Sequence, residues 1–190
     1  MTLTFRIDDI SLNTDAELLA SILQLLRDKF PEARIILAVS PIVFDMSEFS
    51  GLTSERPFPA ILNAHSDWRV FLAGNRIGLP HWLGGMLDKN IELASHGLVH
   101  VDHRLLSIEA QEFSILISRS IVGSGVFVPP FNKWNSGTEA ICERNSIELI
   151  KWEDGWNHLG FQPFDPSNSG LYYFHTHDFN FETLKLKLGL

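Results

Sequence analysis

Two histidines four residues apart form the pattern in this sequence best suited to bind a metal ion. His96 and His100 directly follow an apolar segment, residues 91–95. If the chain turns helically after Ser95, residues i and i+4 share one face, and both imidazoles can reach one ion. The spacing matches a zinc motif of the form His-Glu-x-x-His, but Gly97 stands where that motif has its glutamate base. The pair therefore needs a carboxylate from elsewhere in the chain.

Two adjacent acids, Asp8 and Asp9, are candidates for that carboxylate. They end a segment, residues 3–8, whose partial alternation predicts a strand. Neighbours on a regular strand point to opposite faces, but the chain can turn at a strand end, so both carboxylates can face one cavity. One can then ligate a metal while the other acts as general base. The alternative is that one acid caps a turn and the other is solvated.

A third cluster, His175-Thr-His177-Asp178, follows an apolar segment near the end of the sequence. Strand alternation places both histidines on the same face. Either histidine can protonate a leaving amine, and Asp178 or another acid can determine its tautomer. The alternative is a structural histidine. His103 and His158 are predicted to be bystanders.

The elements that must position these residues are predicted from apolar periodicity. Strands are expected at residues 3–8, 34–40, 91–95, 126–128, 147–151 and 171–174. Helices are expected at residues 14–30, 82–87, 108–121, from 136 onward and at 182–188, with Thr14, Ser107 and Ser136 as N-caps. Residues 41–80 are predicted to form a long, packed excursion, because they are rich in aromatic residues.

Strands that alternate with helices indicate βα units around a mainly parallel sheet. About six strands in a single α/β domain, residues 1–190, suit an incomplete barrel or an open sheet. The carboxyl ends of parallel strands converge on one face, where sites are assembled from several strands. The acid pair, both histidine clusters and the Pro-Pro-Phe-Asn segment at residues 129–132 are therefore expected to meet.

Composition excludes several classes of protein. The chain has 190 residues, of which 45% are hydrophobic and 20% charged, as in soluble globular domains. A net charge of -8 disfavours a nucleic-acid partner, and the one cysteine, Cys142, excludes an internal disulfide. No apolar run approaches the ~18 residues of a membrane span, and the start of the sequence lacks a signal-peptide pattern. A cytoplasmic location is therefore expected, whereas the oligomeric state is left open.

Four segments together resemble the motifs of the polysaccharide deacetylases, in the same order. They are Phe-Arg-Ile-Asp-Asp-Ile at residues 5–10, His-Gly-Leu-Val-His at 96–100, Phe-Val-Pro-Pro-Phe-Asn at 127–132 and Tyr-Phe-His-Thr-His-Asp at 173–178. More narrowly, the chain looks like small, divergent deacetylase-like proteins whose first motif reads Arg-x-Asp-Asp. The fold of that family is a distorted, incomplete (β/α) barrel, which agrees with the predicted strand count.

The resemblance implies the catalytic and metal-binding roles of the matched residues. Asp8 would be the catalytic base. A divalent metal, expected to be zinc, would be bound by Asp9, His96 and His100. The catalytic acid would be His175 or His177, since a Tyr-Phe-His ending favours the former and a His-Asp ending favours the latter.

The resemblance also implies residues that contact substrate or orient the catalytic groups. Asp154, in a segment loosely similar to the fourth family motif, would orient the acid histidine. The residues expected to bind substrate are Pro130, Phe131, Asn132, Trp152 and Trp156.

The third motif departs from the family pattern. The family usually has an arginine before its proline, and this arginine orients the base, but here the position is Val128. Either Arg6, Lys133 or Asn132 substitutes for it, or the activity is altered.

The function expected from these observations is a metal-dependent hydrolase that removes an N-acyl group, foremost N-acetyl, from a sugar or glycan precursor. The alternative is a catalytically inactive deacetylase-like module that binds carbohydrate or protein. A magnesium-dependent phosphoryl-transfer site at Asp8 and Asp9 is disfavoured, because imidazole suits zinc better than magnesium.

Overall fold

A computed structural model describes residues 3–43, 76–165, 170–178 and 180–190, with only the backbone of Val43, Arg76 and Trp152. Within these residues, the strands of the main sheet are β1 (Thr4–Ile10), β2 (Arg34–Val39), β5 (Ile91–Ser95), β6 (Val126–Phe127), β7 (Glu148–Leu149), β8 (Trp156–His158) and β9 (Leu171–His175). A separate antiparallel pair consists of β3 (Ile42–Val43) and β4 (Arg76–Ile77). The helices are α1 (Ala16–Lys29), α2 (Ile108–Val122), α3 (Ser136–Arg144) and α4 (Phe181–Lys187).

The main sheet is entirely parallel, in the order β7-β6-β5-β2-β1-β9-β8. It curls into half of a barrel, which confirms the prediction of a distorted, incomplete (β/α) barrel. In this order β1 lies between β2 and β9, and β5 lies on the other side of β2. The acid pair and both histidine clusters consequently lie at, or directly after, the carboxyl ends of strands that are close neighbours in the sheet. Among the described helices, none is long and apolar enough to cross a membrane.

Alternation along β1 assigns its side chains to the two faces of the sheet. Phe5 and Ile7 are fully buried in the core cluster that includes Leu19 and Leu23 of α1. The side chain of Arg6 instead packs against Trp156, which belongs to a second core cluster inside the curl of the sheet. A buried charged side chain thus packs against an apolar cluster.

Helix starts follow local capping chemistry, and two of the three predicted N-caps are wrong by one residue. Asp15, rather than Thr14, caps α1, because its carboxylate accepts the backbone N–H groups of Glu17 and Leu18. Asn135, rather than Ser136, caps α3 in a capping box with Thr138. Ser107 caps α2 as predicted.

The segment that follows β5 is not helical, so the expected helical face for His96 and His100 is wrong. Residues 96–100 form a loop in which Gly97 has a positive φ of 78°. The helix predicted at residues 82–87 is a single 3-10 turn, Leu83–Met86. Most of the predicted excursion at residues 41–80 lies outside the described residues.

Candidate metal and catalytic site

A bulge in β1 separates the directions of its two acids. The register with β2 shifts between Ile7 and Ile10, and Asp9 has a left-handed φ of 63°. Positive φ is costly for a residue with a side chain and is typical of functional sites. Regular alternation along the strand is broken there, so the side chains of Asp8 and Asp9 can both contribute to a site at the carboxyl end of the sheet. Asp8 contacts Arg6, whereas Asp9 contacts the histidines that follow β5.

Asp9, His96 and His100 bring three metal-ligating atoms together. Asp9 Oδ1 lies 3.3 Å from His96 Nε2 and 3.0 Å from His100 Nε2. Ligands placed about 2.0 Å from a tetrahedral zinc ion are about 3.3 Å apart. The spacing therefore fits one ion between these atoms.

Hydrogen bonding around His96 leaves the correct nitrogen available for a metal. His96 Nδ1 lies 2.8 Å from the carbonyl oxygen of Val128, so Nδ1 carries the proton and donates it. Such a bond to the second nitrogen is typical of metal-ligating histidines. His96 Nε2 and Asp9 Oδ1 are buried and make no hydrogen bond of good geometry with any described group. Buried polar atoms rarely lack a partner, so this pair indicates a place for a ligand.

Electrostatics favour an ionised Asp9. Burial by itself raises the pKa of this carboxyl group, but the close imidazoles of His100 and His96 and their charges outweigh burial and hold the pKa well below its usual range. A carboxylate beside two imidazoles is a donor set typical of catalytic zinc sites, which keep positions open for water and substrate.

The loop that presents both histidines is tied to its neighbours. Ser40 Oγ donates to the carbonyl of His96 at 2.9 Å, and the N–H of Leu98 donates to Ser114 Oγ of α2 at 3.0 Å. His103, predicted to be a bystander, is fully buried and also contacts Ser114, with 3.2 Å between His103 Nε2 and Ser114 Oγ. These contacts determine where the two imidazoles lie.

Asp8 is paired with an arginine from its own strand. Arg6 Nε and Nη2 each donate to one oxygen of Asp8 at 2.9 Å. Arg6 Nη2 also donates to Asn132 Oδ1 at 2.6 Å. Lys133 instead lies 4.0 Å from Asp102. Of the three residues predicted to replace the arginine missing at Val128, Arg6 makes the direct contact with Asp8 and Asn132 holds Arg6.

The aromatic surroundings of Arg6 include a residue expected to bind substrate. The guanidinium lies 4.8 Å from the ring centre of Trp156 and 4.6 Å from that of Tyr173. Trp156 is 5% exposed, so it stacks on Arg6 in the interior and does not offer a face to a sugar. The substrate contact expected of Trp156 stays a prediction, and the observed partner of its ring is Arg6.

His175 is held by Asp178 at the end of β9. Asp178 Oδ2 lies 2.9 Å from His175 Nδ1 and accepts the backbone N–H of His175 at 2.7 Å. Burial lowers the pKa of His175, but Asp178 and the charges of Asp8 and Asp9 outweigh burial and leave it raised. The side chain is therefore readily protonated. The carboxylate expected to orient this histidine, Asp154, instead accepts the N–H of Lys151 at 2.9 Å.

His177 lies on the outer side of the same site. Its side chain is 70% exposed, and Nδ1 lies 3.6 Å from Asp9 Oδ2. The ring stacks on His175 with 5.2 Å between ring centres. His175 and His177 thus both lie near the acid pair, but the contact of His175 with Asp178, at 2.9 Å, is shorter than that of His177 with Asp9, at 3.6 Å.

The segment after β6 contributes one exposed aromatic side chain. Phe131 and Asn132 both have positive φ, 57° and 53°, in a 3-10 turn that follows Pro129. Phe131 is 53% exposed, and its ring centre lies 4.2 Å from that of His100. Pro130 is buried. The side chain of Trp152 lies outside the described part of the structure.

Sequence reasoning missed His158. Its Nε2 lies 3.1 Å from Asp178 Oδ2 and 3.5 Å from His175 Nδ1. The side chain ends β8, the edge strand beside β9. No apolar run precedes it in the sequence, so the short β8 was not predicted and no strand-end signal marked this histidine.

Comparison with solved structures identifies the fold. No protein-family model and no curated protein match the sequence. A CE4 family pseudoenzyme from Bacillus anthracis is similar at a TM-score of 0.52 and 11% identity, over 99% of this chain and 59% of that chain. A mutant of that pseudoenzyme with restored enzymatic activity is similar at a TM-score of 0.53 and 11% identity, over 99% and 61% of the two chains.

A family 4 carbohydrate esterase from Streptomyces lividans, in complex with acetate, is similar at a TM-score of 0.50 and 12% identity. The likeness covers 99% of this chain and 83% of that esterase. The chain spans about three fifths of the pseudoenzyme and most of the esterase. It therefore has the fold of the family 4 carbohydrate esterases.

Proposed function

We propose that this protein is a metal-dependent hydrolase that removes an N-acyl group, foremost N-acetyl, from a sugar or glycan precursor. The observation that carries the proposal is the convergence of Asp9, His96 and His100, with the unpartnered Asp9 Oδ1 and His96 Nε2 between them. A buried carboxylate, Asp8, and a raised-pKa histidine, His175, lie at the ends of the neighbouring strands β1 and β9.

Asp9, His96 and His100 would hold the metal, and zinc suits this donor set. When bound, the ion would polarise the amide carbonyl and lower the pKa of a water molecule. The chain supplies the proton transfers. Asp8 accepts the proton of the attacking water, and His175 donates a proton to the departing amine.

Arg6 holds the carboxylate of Asp8 in one orientation. Its two parallel hydrogen bonds use one lone pair on each oxygen of Asp8 and leave the others free to accept a proton. Asp178 orients the ring of His175, because its contact with Nδ1 leaves Nε2 available to the substrate. His177, beside Asp9 and exposed, is the second candidate for the acid.

A sugar substrate is supported by the exposed ring of Phe131 next to His100. Aromatic faces pack against the apolar C–H faces of sugars, and this ring adjoins the metal-ligating group. Among the similar structures, the family 4 carbohydrate esterase contains acetate, the product expected of deacetylation.

The test is release of acetate from N-acetylglucosamine oligomers, assayed with metal-free protein and after addition of zinc. We expect activity only with metal, and loss of at least a thousandfold in Asp8→Asn, which keeps the shape of the side chain but cannot take up the proton. Activity that survives metal removal, or an unaffected Asp8→Asn variant, would contradict the proposal.

A second candidate, an inactive module that binds carbohydrate or protein, is favoured by one specific observation. Asp8 is 1% exposed, and both of its oxygens are engaged by Arg6. A module of this kind would bind zinc and N-acetylated oligomers but release no acetate. Calorimetric binding of the oligomers by zinc-loaded protein, combined with the acetate assay, separates the two functions.

A further inference from the structure

His158, His175 and Asp178 form a second cluster of metal-ligating atoms in the described residues. Asp178 Oδ2 lies 2.9 Å from His175 Nδ1 and 3.1 Å from His158 Nε2. The two ring nitrogens are 3.5 Å apart. Such a cluster is either a second metal site or a network of hydrogen bonds around one carboxylate.

The tautomer of His158 decides between these possibilities. The backbone N–H of Gly160 donates to His158 Nδ1 at 3.0 Å. A nitrogen that accepts a hydrogen bond carries no proton, so neutral His158 has its proton on Nε2. Burial lowers the pKa of His158, although Asp178 opposes this, so the neutral form is favoured. A protonated Nε2 has no lone pair for a metal ion.

Both imidazoles therefore donate to the same oxygen. The Nε2–H of His158 and the Nδ1–H of His175 point to Asp178 Oδ2, and because each nitrogen then carries a proton, neither accepts from the other across the 3.5 Å between them. His158 is 6% exposed and comes from β8, so it holds the carboxylate from the side opposite to solvent. The cluster is a hydrogen-bond network with Asp178 at its centre.

We propose that His158 is a positioning residue that holds Asp178 against His175 and limits how strongly this carboxylate favours the protonated form of His175. Oδ2 already accepts the backbone N–H and the Nδ1–H of His175, and the further donor from His158 weakens the bond between this oxygen and His175 Nδ1. The consequence for catalysis rests on the proposed function, in which His175 is the acid. The hydrogen-bond network itself does not depend on that function.

Several other groups act on His175, and the test must keep them constant. They are Asp8 and Asp9 of β1, Tyr173 of β9, and His177 and Asp178 beyond it. A substitution of His158 changes none of these residues. The effect of one donor can thus be isolated.

Two variants separate the hydrogen bond from the packing of the ring. His158→Phe keeps a planar ring but removes the donor, whereas His158→Gln keeps an N–H near the position of Nε2. We expect the pKa of His175 to rise by about one pH unit in His158→Phe, because Asp178 then bonds to His175 alone. His158→Gln should stay close to the unaltered protein.

The decisive measurement is nitrogen-15 NMR of the histidine rings, without metal and with zinc. We expect the Nε2–H tautomer for His158, one zinc ion per chain, and the stated shift in the His175 titration. A His158 protonated on Nδ1, a second zinc ion lost in His158→Phe, or an unmoved His175 titration would overturn the inference. If His158→Phe does not fold, the tautomer and zinc stoichiometry of the unaltered protein still decide.

The NMR and zinc measurements remain valid if the protein releases no acetate. Failure of the proposed function can therefore be distinguished from failure of the inference about His158. If it is active, His158→Phe should move the alkaline limb of the kcat/KM profile upward by the same pH interval, with KM little changed. His158→Gln should restore the original profile. A change in KM alone would indicate a substrate contact and contradict a positioning role.

Discussion

Arg6 and Asp8 face each other on one strand, two residues apart, joined by two hydrogen bonds of 2.9 Å. Residues i and i+2 of a strand lie on the same face, so the sequence spacing alone directs the two side chains together. Arg6 is fully buried, and Asp8 is 1% exposed. The arginine that pairs with Asp8 therefore comes from β1 itself. In the family that the sequence resembles, the corresponding arginine comes from the segment that follows β6.

Replacing Arg6 by methionine is expected to destabilise the protein by about 3–5 kcal/mol, because the variant leaves the carboxylate of Asp8 buried without a countercharge. Urea unfolding followed by circular dichroism measures this change. The double variant Arg6→Met/Asp8→Leu should recover most of the lost stability, since no charge is then buried. Arg27→Met, which removes a partly exposed pair with Asp88, is the control and should cost far less.

Zinc affinity tests the two histidines among the three proposed ligands. His96→Ala and His100→Ala should each weaken zinc binding by more than roughly 100-fold, since even changes beyond the direct ligands cost 10- to 100-fold. Titration calorimetry of metal-free protein gives the affinities. His81→Ala removes an exposed histidine that does not belong to the Asp9, His96 and His100 group, and this variant should bind zinc like the unaltered protein. Equal affinities in all four proteins would refute the ligand assignment.

Gly97 is required by the loop between the two histidines. It has a φ of 78°, and a Cβ atom there would lie 2.9 Å from His103 Cε1 and 3.0 Å from the carbonyl oxygen of Val99. Gly97→Ala should destabilise the protein by about 1–3 kcal/mol and also weaken zinc binding, because the loop must shift. Gly125→Ala is the matched control, since its Cβ would meet nothing within 4 Å. Similar behaviour of both variants would argue against this account.

His103 should make stability depend on pH. Burial lowers its pKa from 6.5 to about 4. Between these values the unfolded chain binds a proton that the folded chain does not, so stability falls as the pH decreases through this range. The loss approaches about 3 kcal/mol once the pH is below both values.

His103→Gln keeps polar atoms but does not titrate at this position, so it should flatten that part of the profile. Urea unfolding of both proteins at several pH values from 7 to 4 gives the comparison. Parallel profiles would show that other groups cause the pH dependence.

Local patterns were sufficient to predict the framework. Apolar runs that alternate with amphipathic segments correctly predicted a parallel sheet, and the resemblance to the deacetylases correctly implied that it curls into an incomplete barrel. The expectation that the acid pair and the histidine clusters lie at one end of the sheet came from their positions at the carboxyl ends of the predicted strands. The prediction of helix starts was wrong by one residue at two helices. Asp15 and Asn135 are the N-caps there, because their side chains reach the free backbone N–H groups.

The sequence by itself determined that two acids and two histidine clusters follow strands, because residue type and period are local properties. Only the tertiary structure decided their partners. Arg6 rather than Lys133 contacts Asp8, Asp178 rather than Asp154 contacts His175, and Trp156 packs on Arg6 in the interior. The order β5-β2-β1-β9-β8 brings Asp9 to His96 and His158 to Asp178. These pairings depend on which strands lie side by side, and long-range contacts between strands leave no periodic signal in the chain.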